Sequence, residues 1–220
     1  MQFRGENYES KQIYRSHNKA DAVEKDIIRL CAEAKEYGFY SVCVNSCWVP
    51  LASKELKGSP VKVCSVVGFP LGAMSYAAKV FEAKNAVEQG ADEIDMVINI
   101  GLLKDKKYSE TENEIRAVKQ AIGDRVLKVI IETCYLTDEE KRKVCRLAVS
   151  ARADFVKTST GFGTGGATVE DVQLMLDTVQ GNALVKASGG IRDAATAEKY
   201  LNMGVMRLGT SSGIKIVKGE

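Results

Sequence analysis

The sequence has one histidine, no closely spaced cysteine pair of the CxxC type and no long apolar run, and each scarcity excludes a class of protein. The single histidine, His17, excludes most zinc sites, Ser-His-Asp triads and two-histidine metal motifs. The chemistry of the protein therefore falls to Lys, Asp, Glu and Tyr. Because the cysteines are scattered through apolar segments, we expect buried free thiols rather than disulfides at Cys31, Cys43, Cys47, Cys64, Cys134 and Cys145.

The sequence also lacks an excess of charge of one sign. The 31 basic and 29 acidic residues nearly cancel, and neither sign forms a block that could follow a phosphate backbone or an anionic membrane. Nucleic acid and membrane are therefore poor candidates for partners. The start of the chain has no apolar stretch typical of a signal peptide, and no segment offers about 20 unbroken apolar residues. We expect a cytoplasmic protein.

Short β-branched runs alternate with amphipathic helical stretches along the whole chain, which predicts parallel strands joined by helical crossovers. No linker divides the sequence, so one α/β domain over residues 1–220 is expected. A doubly wound sheet has the same alternation, but a count of eight units favours a single (β/α)8 TIM barrel. The predicted strands lie near residues 13–16, 39–45, 61–67, 93–99, 127–132, 154–159, 183–188 and 206–211.

Helix starts are marked by capping residues. Thr137 is followed three positions later by Glu140, which is the pattern of a capping box. Thr168 precedes acidic residues that would lie in the first turn of a helix, where the helix dipole favours negative charge. We therefore expect helices to begin just after these two threonines.

Three ionisable residues occur in strands that should be apolar on both faces. Lys157 and Lys186 end two neighbouring apolar runs, and Asp95 lies in a third, at or close to the strand ends where barrel active sites are built. Desolvation and a second cation both lower a lysine pKa, which would make one amine a nucleophile towards a carbonyl, with Asp95 relaying protons. The alternative is a structural ion pair at the strand ends.

Three segments rich in small residues follow the last three predicted strands. Loops in these places commonly bind phosphate through backbone N–H groups, although ordinary turn formation also explains individual glycines. Residues 161–166 also match G-x-G-x-x-G, but a dinucleotide site needs an acid about 20 residues later, and Lys186 and Ala187 stand there. The phosphate candidates are Gly189, Gly190, Gly209, Ser211 and Ser212.

The segments FVKTSTGF (155–162), VKASGGIR (185–192) and ADEIDMV (91–97) together resemble deoxyribose-phosphate aldolase. The resemblance runs from about Asp21 to Lys218. It implies reversible cleavage of 2-deoxyribose 5-phosphate to glyceraldehyde 3-phosphate and acetaldehyde, without a metal or organic cofactor, and suggests a homodimer. It assigns the Schiff base to Lys157, its modulation to Lys186 and the proton relay to Asp95. It places the phosphate contacts on Gly161, Gly189, Gly190, Ser211 and Ser212.

Two further positions, in the fifth strand, are open in their role. Lys128 and Glu132 could support the site or form a structural ion pair with each other.

Two stretches depart from the family pattern. Tyr14 stands where the family has an aspartate that positions a substrate hydroxyl, and residues 74–77 replace small polar groups with MSYA. We therefore expect Tyr14 and Tyr76 to line the substrate pocket and the enzyme to prefer less polar aldehydes. A catalytically degenerate barrel that only binds a phosphorylated metabolite is the alternative function.

Overall fold

The computed structural model describes residues 12–220, so residues 1–11 of the predicted domain lie outside the described part. Eight parallel strands close into a barrel in the order β1 to β8, which confirms the (β/α)8 prediction and excludes the doubly wound sheet. The strands are β1 Ile13–His17, β2 Ser41–Val44, β3 Lys62–Val67, β4 Glu93–Val97, β5 Val126–Ile130, β6 Phe155–Lys157, β7 Leu184–Ser188 and β8 Arg207–Thr210.

Helices connect the strands on the outside of the barrel. Within the described residues they are α1 Glu24–Glu36, α2 Val49–Glu55, α3 Tyr76–Glu88, α4 Ile100–Lys104, α5 Tyr108–Ile122, α6 Asp138–Ser150, α7 Val169–Val179, α8 Ala194–Asn202 and α9 Gly213–Val217. In that part of the chain, no helix is both long and apolar enough to cross a bilayer.

The predicted caps are present. The Thr137 hydroxyl accepts from the Glu140 N–H at 3.3 Å, and the Glu140 carboxylate accepts from the Thr137 N–H at 2.8 Å. Thr168 accepts from the Asp171 N–H at 3.1 Å at the start of α7. These bonds satisfy donors that a helix start otherwise leaves unpaired, so the two helices begin where the sequence indicates.

The main apolar core lies between the barrel and its helices. Outward-facing strand residues such as Val42, Ile94 and Val129 are fully buried there against helical side chains. The inward-facing residues alternate with them because strand side chains point to opposite faces in turn. A typical barrel fills its interior with branched apolar residues. Here the interior instead holds charged residues, together with a small separate apolar cluster of Cys43, Cys64 and Val66.

The prediction of six buried thiols is wrong at two positions. Cys47 is exposed and Cys134 is only partly buried, whereas the other four are buried, and all six are free. Cys47 lies in the short 3-10 turn Ser46–Trp48 after β2, and Cys134 in a second one, Thr133–Tyr135, after β5. Loop turns run over the surface, so an apolar sequence neighbourhood did not ensure burial.

Candidate active site

Asp95 is the centre of a buried cluster of charges inside the barrel. One carboxylate oxygen, Oδ2, lies 2.8 Å from both Lys157 Nζ and Lys186 Nζ. The other, Oδ1, lies 2.8 Å from Lys128 Nζ, which also contacts a Glu93 oxygen at 2.7 Å. All five side chains are almost inaccessible to solvent. The structure therefore brings the three predicted catalytic residues together and adds a third lysine.

Strand register explains this convergence. Lys157 is paired with Lys186 across β6 and β7, and Asp95 is paired with Lys128 across β4 and β5. Paired residues of parallel strands point to the same face, so all four side chains enter the barrel. The expected position at the strand ends is correct only for Lys157, because Asp95 and Lys186 lie in the middle of their strands. The cavity reaches Lys186, and Asp95, which does not line it, contacts both lysines that do.

The sequence left open whether Lys128 and Glu132 support the site or pair with each other, and the structure excludes the pair. Lys128 binds Asp95 and Glu93, whereas the Glu132 carboxylate accepts hydrogen bonds from Thr160. Two-residue alternation along β5 was the signal that could have placed Lys128 inside the barrel. Glu132 lies beyond the end of β5, where its backbone has a φ of 54° and alternation no longer applies.

The balance of charge in this cluster is uneven. Three lysines face two carboxylates, those of Asp95 and Glu93, so full ionisation would leave an excess of positive charge in a dry interior. Burial lowers the pKa of Lys186, Asp95 opposes this, and Lys157 and Lys128 add to the lowering. Burial also opposes the charged form of Lys157, but Asp95 outweighs it and raises the pKa of Lys157.

The resting site therefore differs from the prediction that Lys186 keeps Lys157 partly neutral. Lys186 is the lysine whose pKa is lowered, and Lys157 is held as an ammonium. Asp95 remains ionised, because its three lysines outweigh the cost of burial and hold its pKa well below the usual carboxyl range. The prediction considered only burial and the repulsion between two lysines. It did not include the Asp95 carboxylate, which stabilises the charged form of the lysines that it binds.

Tyr14 forms part of the floor beneath the lysines. Its hydroxyl donates to a Glu93 oxygen at 2.7 Å and accepts from Arg207 Nε at 3.1 Å. Lys186 Nζ lies 4.0 Å and Lys128 Nζ 4.8 Å from the centre of its ring. The side chain is fully buried, and burial raises the pKa of its hydroxyl. Tyr14 thus lines the cavity with its ring, while its hydroxyl is engaged below.

A cavity of about 640 Å³ opens above the lysines. Lys157 and Lys186 lie at its base, and Gly161, Gly189 and Gly190 line it with φ angles of 87°, 83° and 79°. These values require glycine or strain any other residue. Gly209 and Ser211 also line the cavity. A side chain at position 209 would collide with Ser188 and approach Lys186, so glycine there keeps room for the lysine.

Ser212 is the phosphate candidate that does not line this cavity. It stands at the N-cap position of α9 without a side-chain capping hydrogen bond, and its N–H donates to the Thr210 hydroxyl at 2.8 Å. Two exposed cations that the sequence argument did not select, Lys19 and Arg192, do line the cavity. A positive rim next to glycine-rich backbone suits an anionic group. Arg192 ends the motif VKASGGIR, so its neighbourhood was a signal that could have identified it.

Some polar atoms on the cavity wall have no partner among the described residues. They are the Ser188 hydroxyl and the Asn18 side-chain oxygen, and both residues line the cavity. Buried polar groups normally make hydrogen bonds, so these two atoms are suited to hydroxyl groups of a ligand. His17 lines the same cavity and belongs to the same segment after β1.

Tyr76 does not lie in this cavity. It is the first residue of α3, about half exposed, and it lines a second cleft with Met74, Asn99 and Lys107. In the loop between β3 and α3, Gly72 has a φ of 67° and lies so close to the Ile98 carbonyl that a side chain there would collide with it. Residues 73–76 line this second cleft and not the cavity above the lysines, so the structure separates Tyr76 from Lys157 and Lys186.

One group of side chains in the described residues could offer ligands to a metal. The sulfur atoms of Cys43 and Cys64 and an oxygen of Asp95 lie within 4.8 Å of one another. Three lysines already bind this carboxylate, and their ammonium groups repel a cation. The donor set therefore does not suit a divalent metal while the lysines are charged.

Comparison with known proteins places the whole barrel in one family. Residues 12–218 match the model described as "DeoC/LacD family aldolase". The chain is 60% identical over 210 residues to a deoxyribose-phosphate aldolase of Finegoldia magna, covering 96% of this chain and 99% of that protein. A solved structure described as "QR15, an Aldolase" has a TM-score of 0.92 at 43% identity, covering 95% and 94% of the two chains.

A second solved structure, a tetrameric deoxyribose phosphate aldolase from Aeropyrum pernix, has a TM-score of 0.87 at 31% identity. The match covers 96% of this chain and 90% of that one.

Proposed function

The chain belongs to the DeoC/LacD family of aldolases, and we propose that it is a class I aldolase that cleaves 2-deoxyribose 5-phosphate to glyceraldehyde 3-phosphate and acetaldehyde, and catalyses the reverse addition. The observation that carries the proposal is the shared carboxylate oxygen of Asp95, 2.8 Å from both Lys157 and Lys186, at the base of the cavity. The close relatives favour this function over the binding-only alternative.

Lys157 is the proposed nucleophile. It must lose a proton before it can attack, and Lys186 provides a place for that proton because its own pKa is lowered. Both nitrogens contact the same Asp95 oxygen, so the proton has a short route between them. Because the cluster has more lysines than carboxylates, the state in which one of the two amines is neutral is favoured both before and after the transfer. After the proton has moved, Lys186 is charged and Lys157 is the neutral amine.

The proposed reaction proceeds through an imine on Lys157. Lys157 Nζ forms a bond to the aldehyde carbon, the carbonyl electron pair moves to oxygen, and loss of water leaves an iminium ion. This ion accepts the electron pair of the C2–C3 bond as the C3 hydroxyl loses its proton, which releases glyceraldehyde 3-phosphate and leaves an enamine. Protonation of the enamine at C2 and addition of water release acetaldehyde. Asp95, with its attached ammonium groups, is the relay for these protons.

The other end of the substrate carries a phosphate. Backbone at Gly161, Gly189 and Gly190, with Lys19 and Arg192 on the rim, supplies the donors and positive charge for it. The unpartnered Ser188 hydroxyl and Asn18 oxygen lie on the wall between, where the sugar hydroxyls would pass. Binding energy at this remote end holds the aldehyde against Lys157.

Borohydride trapping with acetaldehyde tests the nucleophile. Reduction fixes the imine as an alkyl group, and trypsin does not cleave after an alkylated lysine. A label on Lys157 gives the peptide 153–186, whereas a label on Lys186 gives 158–192. We expect the first peptide, and no label in Lys157→Met. Lys186→Met, the matched control, should retain a slower label on Lys157. Recovery of the labelled peptide 158–192 from the native protein would show that Lys186, and not Lys157, forms the imine.

We also retain a cytoplasmic homodimer as a prediction. The resemblance suggests self-association, and one solved relative is itself tetrameric. Light scattering coupled to size exclusion would give the mass of the assembly, and a single-chain mass would contradict the dimer.

A further inference from the structure

Two thiols face each other inside the barrel. Cys43 of β2 and Cys64 of β3 are directly paired in register, and their sulfur atoms lie within 4.8 Å of each other. Neighbouring strands are about 4.8 Å apart, within the range of about 4.4–6.8 Å that Cα atoms of a disulfide span. Both residues are free and almost fully buried. The backbone therefore already has a spacing that a disulfide can bridge.

The surroundings of the two sulfur atoms differ. Cys43 lines the cavity, so a small molecule that enters the cavity can reach it. The adjacent Cys64 thiol lowers the pKa of Cys43 to about 7 despite burial, and the charges of Lys157 and Lys186 add to the lowering. Cys43 is therefore partly a thiolate at neutral pH, which is the reactive form of cysteine.

Cys64 lies behind Cys43 and does not line the cavity. Its sulfur donates to Asp95 Oδ1 at 3.1 Å, and Lys128 Nζ is 3.6 Å away. Burial raises the pKa of Cys64 well above its ordinary value, so it remains a thiol. A reactive thiolate reached from a cavity, backed by a protonated thiol within reach, is the arrangement of an attacking and a resolving cysteine.

We propose that Cys43 and Cys64 form a modification site at which a small hydroperoxide reversibly oxidises the pair to a disulfide. The Cys43 thiolate attacks the O–O bond, an S–O bond forms to give a sulfenic acid, and the leaving oxygen departs as hydroxide or alkoxide and takes a proton from solvent. The Cys64 sulfur then attacks the Cys43 sulfur. The S–O bond breaks, and the Cys64 proton and the hydroxyl group leave as water. The two sulfur atoms together lose two electrons, which the peroxide gains. A dithiol reverses the reaction.

Oxidation of this pair changes the catalytic cluster. Cys64 loses the proton that it donates to Asp95, and its sulfur moves towards Cys43 and away from the carboxylate. Asp95 holds Lys157 and Lys186, so the disulfide form should lose aldolase activity. This effect on activity rests on the proposed function. The covalent change does not, because it is measured by mass.

The experiment uses the full chain with Cys47→Ser, since the exposed Cys47 shares the tryptic peptide 36–54 with Cys43. After treatment with hydrogen peroxide and blocking of free thiols, non-reducing digestion should give the peptide 36–54 joined to 63–79. In Cys47→Ser with Cys64→Ala, dimedone should label Cys43 instead. Cys47→Ser with Cys145→Ala, a buried thiol outside the barrel interior, should still form the joined peptide.

Aldolase activity should fall in parallel with the joined peptide and return with dithiothreitol. Absence of the joined peptide, at a peroxide dose that oxidises Cys47 in the native chain, would overturn the proposal. A joined peptide with unchanged activity would overturn only its effect on Asp95. An inactive protein before oxidation, with the disulfide still formed on treatment, would instead count against the proposed aldolase function.

Discussion

Replacing Tyr14 with phenylalanine separates the two contributions of this side chain. The change removes the hydroxyl that bridges Glu93 and Arg207, and it leaves the ring beneath Lys186 and Lys128 in place. Because phenylalanine has nearly the same volume, no large cavity forms. The variant therefore measures the buried hydroxyl alone.

The expected loss of stability follows from the partners that remain. Glu93 keeps Lys128 at 2.7 Å, and Arg207 keeps the Met206 carbonyl at 3.0 Å, so neither charge is left without a partner. Hydrogen bonds to charged groups contribute about 1.5–3 kcal/mol each, and because both charges keep a partner the combined loss should be about 2 kcal/mol. For a domain of this size, that loss lowers Tm by about 4–8 °C.

Thermal unfolding followed by circular dichroism measures this shift. Tyr135→Phe is the matched control, because Tyr135 is a nearly half-exposed tyrosine, and the Tm of this variant should not change. A Tm shift in Tyr14→Phe no larger than that of the control would show that the buried hydroxyl bridge contributes nothing to stability.

Tyr14→Leu extends the test to the ring. It removes the aromatic face 4.0 Å from Lys186 Nζ, a contact worth about 2 kcal/mol where the cation is desolvated. The face favours the charged lysine, so its loss should lower the pKa of Lys186 further. The pH profile of kcat should therefore move to lower pH in Tyr14→Leu and not in Tyr14→Phe. Coincident profiles would show that the ring does not act on Lys186.

Other predictions follow from other parts of the molecule. Lys79 and Glu114 form a buried ion pair at 2.7 Å, so Lys79→Met leaves the Glu114 carboxylate without its cation and should lower the free energy of unfolding in urea by about 3–5 kcal/mol. Adding Glu114→Leu should recover part of this loss, and no recovery would contradict the contribution of the pair. Burial raises the pKa of Glu132, so the folded chain holds this proton more tightly than the unfolded chain, and stability should fall as pH rises from the ordinary carboxyl range until Glu132 is ionised in both states. Glu132→Gln should lack that contribution, and identical pH dependence in the two proteins would exclude it. Tyr14→Asp should shift the ratio of kcat/KM towards deoxyribose 5-phosphate and away from an aromatic aldol substrate, and an unchanged ratio would show that Tyr14 does not set the preference.

Much of the barrel could be read from the chain, because its signals are local. Short β-branched runs marked all eight strands, and the Thr137 capping box marked the start of α6, since each depends on residues only a few positions apart. Asp95, Lys157 and Lys186 were recognisable as ionisable residues in apolar strands, and their motifs resembled one family of aldolases. The sequence alone therefore identified the three side chains that we propose carry the chemistry.

Only the tertiary structure decided which of these side chains meet. Barrel closure and strand register brought Lys128 to Asp95, set Cys43 opposite Cys64 and directed the Tyr14 hydroxyl to Glu93, while a turn after β3 carried Tyr76 elsewhere. The pKa directions of Lys157 and Lys186 followed from the shared carboxylate and from burial. Neither can be read from spacing along the chain, because a charge in a dry interior responds to its neighbours in space.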